Sequence, residues 1–222
     1  MSASLAGRRV LVSAGPTYED IDPVRFLGNR SSGRMGFALA AAAAARGADT
    51  LLVAGPVHLD TPTGVERIDV RSAADMHAAV LAALPAELYV GAAAVADWTP
   101  REVASHKRKK QPGVESLMLE LVRTADILAE VATHPLRPRC VVGFAAETGS
   151  DADIARYARD KLERKRVDFI CANRVGVAGS GFEAEDNALQ VFWHGGERRF
   201  GPAAKMQLAG ELLDFIKQRM PA

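Results

Sequence analysis

The chain is poor in cysteine. It has two, Cys140 and Cys171. Each sits at the edge of an apolar, strand-like run, which is a weak basis for a disulfide framework. No Cys-His cluster offers the closely spaced ligands of a zinc site. The reading is two reduced, partly buried thiols in a cytoplasmic protein. Charge of one sign is also lacking: Lys plus Arg is 28 and Asp plus Glu is 27, a formal balance of +1. A dedicated nucleic-acid binder usually carries a basic excess, and a disordered acidic or basic module a large imbalance. No long apolar run exists. The longest, Phe37 to Ala45, is far short of the ~18 residues of a membrane span. Residues 1–9 lack the apolar core of a signal peptide. Neither nucleic acid nor membrane is an expected partner.

What is present suits a soluble α/β protein. The 222 residues are 48% hydrophobic and 25% charged, ordinary values for a globular chain. No internal repeat or linker divides it, so residues 1–222 read as a single domain. Strands are expected at Arg9–Ala14, Thr50–Ala54, Val65–Val70 and Leu88–Ala93, and helices at Arg34–Arg46 and Ser72–Leu84. Ser31 and Ser32 are capping candidates for the first helix and Gly47 its terminator, and Ser72 with Asp75 forms a capping box for the second. Leu88–Ala93 shows no polar alternation, as expected of a strand buried on both faces. Further on, the pattern gives strand Leu117–Val122, helix Ala125–Ala132, strand Cys140–Phe144, helix Asp153–Arg164 and strand Phe169–Ala172. A hairpin around His194-Gly195-Gly196 and a final helix from about Pro202 to Arg219 complete it. Alternating strands and helices call for a mostly parallel sheet flanked by helices.

Four segments carry candidate chemistry. The connection from Gly15 to Gly33 is far longer than the usual ~2–6 residues. It ends in Gly28-Asn29-Arg30-Ser31-Ser32-Gly33-Arg34-Met35-Gly36, where small residues let backbone N–H groups meet an anion at a helix amino end. It is neither a Gly-x-Gly-x-x-Gly fingerprint nor a Walker loop, and a capped helix with a flexible entry is the competing reading. Asp97 follows the buried strand, where open parallel sheets bind ligands. It is a candidate for a magnesium ion or a ligand hydroxyl, or an ordinary loop cap. Lys107-Arg108-Lys109-Lys110 is either a solvated run or a cationic arm over a polyphosphate; the adjacent His106 reads as a solvated residue without a partner. Phe144 closes another strand and fills the core or stacks on a base. Lys161 and Lys165 share one helix face, as phosphate ligands or as a solvated stripe.

The ordered set Ala14-Gly15-Pro16-Thr17, Asp22-Pro23-Val24-Arg25, Asn29 to Gly36, Ala93 to Asp97, Lys107 to Lys110, Gly143 to Thr148 and Ile170 to Asn173 resembles the bacterial phosphopantothenate–cysteine ligases of coenzyme A biosynthesis, over nearly the whole chain. The resemblance implies a Rossmann-like subunit and a homodimer with the active site near the subunit interface. It implies activation of the 4′-phosphopantothenate carboxylate by CTP with Mg2+, through an acyl-cytidylate, and attack by the amine of L-cysteine. Carried over by position, Asn29 would bind the acyl-cytidylate and the reacting carboxyl, donating to the carbonyl oxygen, and Lys107 on a flap would neutralise the CTP phosphates. Gly91, Ala92, Ala93, Asp97, Asp126, Ile127, Phe144, Lys161 and Lys165 would form the nucleotide site. Ser31, Ser32, Gly33, Ala172 and Asn173 would face the substrate. No set of metal ligands is identified.

Two departures matter. Thr124-Ala125-Asp126-Ile127 stands where the family often has Asn-Pro-Asp-Ile, and Ala172-Asn173-Arg174 where it often has Ala-Asn-Asp. An Asn side-chain contact in the first place and a carboxylate role in the second do not carry over. In many bacteria this ligase is fused behind a flavin-dependent decarboxylase. No such domain is expected here, and hence no flavin: the chain reads as a stand-alone ligase or as the C-terminal half of such a fusion. Two alternatives remain at this point, an NAD(P)-dependent oxidoreductase of Rossmann type and a nucleotide- or RNA-binding module using Lys107 to Lys110.

Overall fold

The computed structural model describes residues 4–110, 112–113, 115–175 and 186–220. Its core is an eight-stranded sheet in the order β12-β11-β10-β9-β6-β1-β4-β5. The six strands β1 (Arg9–Ala14), β4 (Asp49–Ala54), β5 (Val65–Asp69), β6 (Leu88–Gly91), β9 (Cys140–Glu147) and β10 (Phe169–Arg174) run parallel. β11 (Asp186–Trp193) and β12 (Gly196–Ala204) add an antiparallel hairpin at one edge.

Alternation along the central strands feeds two cores, because successive side chains point to opposite faces. Val10, Val12, Leu52, Val90 and Val142 pack with α1 (Arg34–Ala44) and α5 (Lys205–Lys217). Leu11, Leu51, Tyr89, Val141 and Ile170 pack on the other face with α2 (Ala73–Ala82), α3 (Ile127–Thr133) and α4 (Asp151–Lys165). Strands buried on both faces need the continuous apolar runs that the sequence shows. Cys140 and Cys171 are free and fully buried, and burial pushes both thiols well above the usual range. Among the described residues no helix is long and apolar enough to cross a membrane.

The Gly15–Gly33 connection is not a simple loop. It folds into an antiparallel hairpin, β2 (Tyr18–Asp22) and β3 (Arg25–Gly28), with Tyr18 stacked on Phe26 at 3.9 Å between ring centroids. Ser31 and Ser32 do not cap α1. Gly33 is the capping residue, at φ 73°, and no side chain bonds the helix end. The Ser31 hydroxyl instead accepts from Gly33 N at 3.3 Å. α1 ends at Ala44, two residues earlier than expected, with Gly47 just beyond at φ 83°.

The expected strand Leu117–Val122 is shorter and lies elsewhere. β8 (Leu121–Arg123) pairs with β7 (Trp98–Pro100) in a separate two-stranded sheet, and Leu117 and Met118 are exposed. α3 begins at Ile127 because Asp126 caps it, accepting from Ala129 N at 3.1 Å. The last helix begins at Lys205 rather than near Pro202, because the hairpin strand β12 continues through Ala204.

Candidate functional site

The chain runs from β1 to β4 and β5 on one side, then returns through β6 to the other side of β1. The crossovers diverge there, and a crevice opens at the carboxyl ends of the strands. A cleft of about 740 Å3 occupies it. Its floor includes Ser13 of β1 and Tyr89 of β6, whose hydroxyls lie 3.0 Å apart. Tyr89 is fully buried, which pushes its phenol up to about 12, so it stays protonated as a fixed polar group.

The loop after β6 is stitched to the loop after β1. Ala92 N donates to Ser13 O at 3.0 Å, Ala94 N to Gly15 O at 2.8 Å, and Ala96 N to the Thr17 hydroxyl at 2.9 Å. From the other side the Thr124 hydroxyl donates to Ala96 O at 2.6 Å, and Thr124 N to Asp97 O at 3.1 Å. These bonds fix the backbone of Gly91 to Asp97 along one wall and place the Asp97 side chain at the cleft.

α4 provides the opposite wall. Lys161 Nζ donates to Phe144 O at 2.9 Å, and Lys165 is paired with Asp126. Burial and the neighbouring Lys165 charge lower the Lys161 ammonium, against the pull of Glu147, Asp126 and Asp97. Burial works against ionisation of Asp126, but the bonds from Lys165 and Ala129 N outweigh it and lower that carboxyl. Asp97, Lys161 and Lys165 also line a smaller adjoining pocket of about 350 Å3 with Glu147, Tyr157 and Arg164.

Of the residues expected from sequence, Ser31, Ser32, Gly33, Gly91, Ala92, Ala93, Asp97, Asp126, Ile127, Phe144, Lys161, Lys165 and Asn173 line the main cleft. Three do not. Ala172 is 1% exposed and belongs to the core, because its side chain points into the sheet face opposite to that of Cys171. Asn29 stands beside the cleft, its carboxamide donating to Ala94 O at 3.1 Å and Val95 O at 3.0 Å. Two carbonyl acceptors require the nitrogen there, so the carboxamide orientation follows from its partners. Lys107 is exposed and lies outside the cleft lining. His106, read as without a partner, shares a 3.0 Å hydrogen bond with the Ser105 hydroxyl.

The structure adds cations that the sequence reading missed. Arg164 shares the α4 face of Lys161 and Lys165, and its spacing could have revealed it. Arg123 lies over the Trp98 ring at 5.7 Å. Arg34 and Lys205, the first residues of α1 and α5, line the cleft together. Lys205 is only 8% exposed; burial and the charge of Arg34 lower its ammonium. Neither helix has an acidic residue in its first turn. Cations at amino ends run against the helix dipole, an arrangement suited to an anionic ligand between them.

The cleft can therefore hold an elongated, multiply charged ligand: Lys161, Arg164 and Lys165 on one wall, and Arg34 and Lys205 at the helix amino ends. Among the described residues no group of three or more His, Cys, Asp or Glu could hold a metal. Asp97 and Asp126 are the acidic residues of the lining. That set fits magnesium arriving with a substrate phosphate, because the ion usually takes one or two protein carboxylates and completes its shell with phosphate and water.

Residues 5–220 match the DNA/pantothenate metabolism flavoprotein C-terminal domain family. The coenzyme A biosynthesis bifunctional protein CoaBC of Vibrio cholerae is 49% identical over 217 residues, which are 97% of this chain and 54% of that protein. The CoaBC of Escherichia coli K12 is 46% identical over 206 residues, 92% of this chain and 50% of that protein. The chain thus spans about half the length of these relatives. Among solved structures, the C-terminal domain of a CoaBC superposes with a TM-score of 0.79 at 34% identity, covering 97% of this chain and 96% of that one. A Cab2 variant solved with phosphopantothenate-cysteine shares the fold, with a TM-score of 0.77 at 14% identity, covering 96% of this chain and 86% of that one.

Proposed function

Since the chain belongs to the DNA/pantothenate metabolism flavoprotein C-terminal domain family, we propose that it joins L-cysteine to 4′-phosphopantothenate, using CTP and passing through an acyl-cytidylate. The observation that carries this reading is the switch-point cleft. It gathers thirteen of the residues expected for such a site and adds Arg34 and Lys205 at its helix amino ends. Both substrates are phosphorylated, and the cleft has cations enough for two anionic groups.

The roles we assign join this geometry to the family resemblance. Lys161, Lys165 and Arg164 take the nucleotide side, where fixed cations offset the charge that builds on the phosphates during nucleotidyl transfer. Backbone groups of Gly91 to Ala93, held by the stitched loops, and Phe144 shape the base and ribose pocket. Magnesium would supply charge neutralisation on the triphosphate, with Asp97, one of the two carboxylates of the lining, available to hold it. Asn29 orients the reacting carboxyl from beside the loop it holds. Lys107 closes from its exposed segment onto the phosphates. Asn173, on the cleft lining, would face the phosphopantothenate. The protein works as a homodimer in the cytoplasm, alone or joined to a flavin-dependent decarboxylase.

The test is pyrophosphate release with 4′-phosphopantothenate, magnesium and cysteine, run with CTP and with ATP. Release with CTP and formation of the cysteine amide support the reading. No release with either nucleotide overturns it, and preference for ATP overturns the nucleotide assignment alone.

A further inference from the structure

The basic segment is not a free arm. Its backbone is held by the β2–β3 hairpin at two places. Ala104 N donates to Ile21 O at 3.0 Å. Arg108 N donates to Asp22 Oδ2 at 3.1 Å, and Arg108 O accepts from Arg25 Nη2 at 2.9 Å. Both main-chain groups of one residue in the run are thus taken by a single Asp–Arg pair.

That pair is well built. The Asp22 residue is 1% exposed. Its Oδ1 accepts from Val24 N at 2.9 Å and Arg25 N at 3.0 Å, closing the hairpin turn, while its Oδ2 accepts from Arg25 Nε at 3.1 Å and from Arg25 Nη2. The Arg25 guanidinium holds the Asp22 carboxyl far below the usual carboxylate range, so the pair stays ionised at any ordinary pH. The Arg108 side chain is half-buried, and its Nε is buried without a hydrogen bond. A merely solvated run of charge would leave such groups to water. The arm of the hairpin that begins at Arg25 leads to Asn29, which holds the carbonyls of Ala94 and Val95.

We infer that Asp22 and Arg25 are positioning residues: they clip the backbone of Arg108 and so set where the neighbouring cation Lys107 starts from when a triphosphate enters the cleft. The role given to Lys107 rests on the ligase reading; the clip itself does not. Fixing residue 108 leaves Lys107 little chain to order, which lowers the entropic cost of bringing its ammonium to the phosphates. One hairpin thereby sets both the phosphate-neutralising cation and the carboxamide that holds the cleft loop.

The experiment uses the pair Arg108→Pro and Arg108→Ala. Both lose the guanidinium, but only proline loses the N–H that Asp22 accepts. Amide exchange over residues 101–110 is expected to quicken about tenfold in Arg108→Pro and to stay near wild type in Arg108→Ala. Asp22→Asn is expected to behave as Arg108→Pro; should it fail to fold, the Arg108 pair decides. In the pyrophosphate assay Arg108→Pro is expected to raise KM for CTP about fivefold over Arg108→Ala, with KM for cysteine unchanged. Equal exchange in the two Arg108 variants overturns the clip, and equal rises in both KM values overturn its positioning role. If wild type releases no pyrophosphate, the ligase reading fails and the exchange comparison still decides the clip.

Discussion

Lys161 reaches from α4 to donate to the carbonyl of Phe144, and so ties the helix wall of the cleft to the end of β9. Burial and the charge of Lys165 lower its ammonium below the ordinary lysine range. In the free protein the charge is therefore lost, as pH rises, in a window that begins below the ordinary lysine range. Two consequences of opposite sign follow as pH rises through that window. Folding stability increases, because the folded state binds fewer protons than the unfolded one. On the proposed ligase reading, triphosphate binding weakens, because a cation is removed. Lys161→Arg keeps its charge to far higher pH, so the alkaline fall in 1/KM for CTP should move upward in that variant. Steady-state kinetics between neutral pH and the upper limit of stability would show it.

Arg34 and Lys205 place two cations where two helix amino ends already favour an anion. Lys205→Met should raise KM for one phosphorylated substrate by about tenfold, the loss of one charge-assisted contact, with KM for cysteine little changed. Whichever of CTP and 4′-phosphopantothenate responds identifies the phosphate seated between α1 and α5. An unchanged KM for both would show that Lys205 serves the fold alone.

Much of this architecture was legible in the sequence, for reasons tied to particular elements. Leu88 to Val90 lacks polar alternation because both faces of β6 are covered, and Ser72 with Asp75 does form the capping box of α2. The hairpin inside Gly15–Gly33 was missed because its stability lies in tertiary bonds. Glu19 accepts from Ala73 N at 2.8 Å, and Tyr18 N donates to Arg71 O at 2.8 Å. Neither partner is near in sequence. Lys205 was missed because its place at a helix amino end depends on where β12 stops, and local pattern left that boundary open. The family resemblance puts Ala172 on the substrate side, but the pleat turns its side chain into the core and leaves Asn173 at the opening.

Gly36 lets α1 lie directly on β1. A Cβ there would stand 2.4 Å from the Ala14 Cβ and 3.5 Å from the Ala92 Cβ. Both neighbours are short side chains with no freedom to swing aside. Gly36→Ala should therefore cost about 1–3 kcal/mol by overpacking, despite the better helix propensity of alanine. It should also push apart the Ser31–Arg34 turn and the loop at Ala92, which both line the cleft. Urea unfolding gives the first quantity and KM for CTP the second. Unchanged stability would mean that the helix can shift on the sheet without penalty.

Asn29 has both amide hydrogens committed to Ala94 O and Val95 O. To donate to a substrate oxygen it must release one of them, so its first task in the free protein is to hold the cleft loop. This separates the effects of substitutions. Asn29→Ala removes the donors and leaves two carbonyls that can turn to water. Asn29→Asp keeps the shape but sets a carboxylate against two carbonyl oxygens, so it should be the more disruptive of the two. If the proposed reaction holds, conversion of the acyl-cytidylate by cysteine should fall about a hundredfold in Asn29→Ala, the scale of one lost donor to developing negative charge, and its formation should fall much less. Lys107→Ala should show the reverse pattern, slowing formation and sparing conversion. Rapid-quench measurement of labelled acyl-cytidylate separates the two steps: accumulation in Asn29→Ala and depletion in Lys107→Ala are the expected results. An Asn29→Asp enzyme as active as wild type would show that the two donated bonds do not position the loop for catalysis.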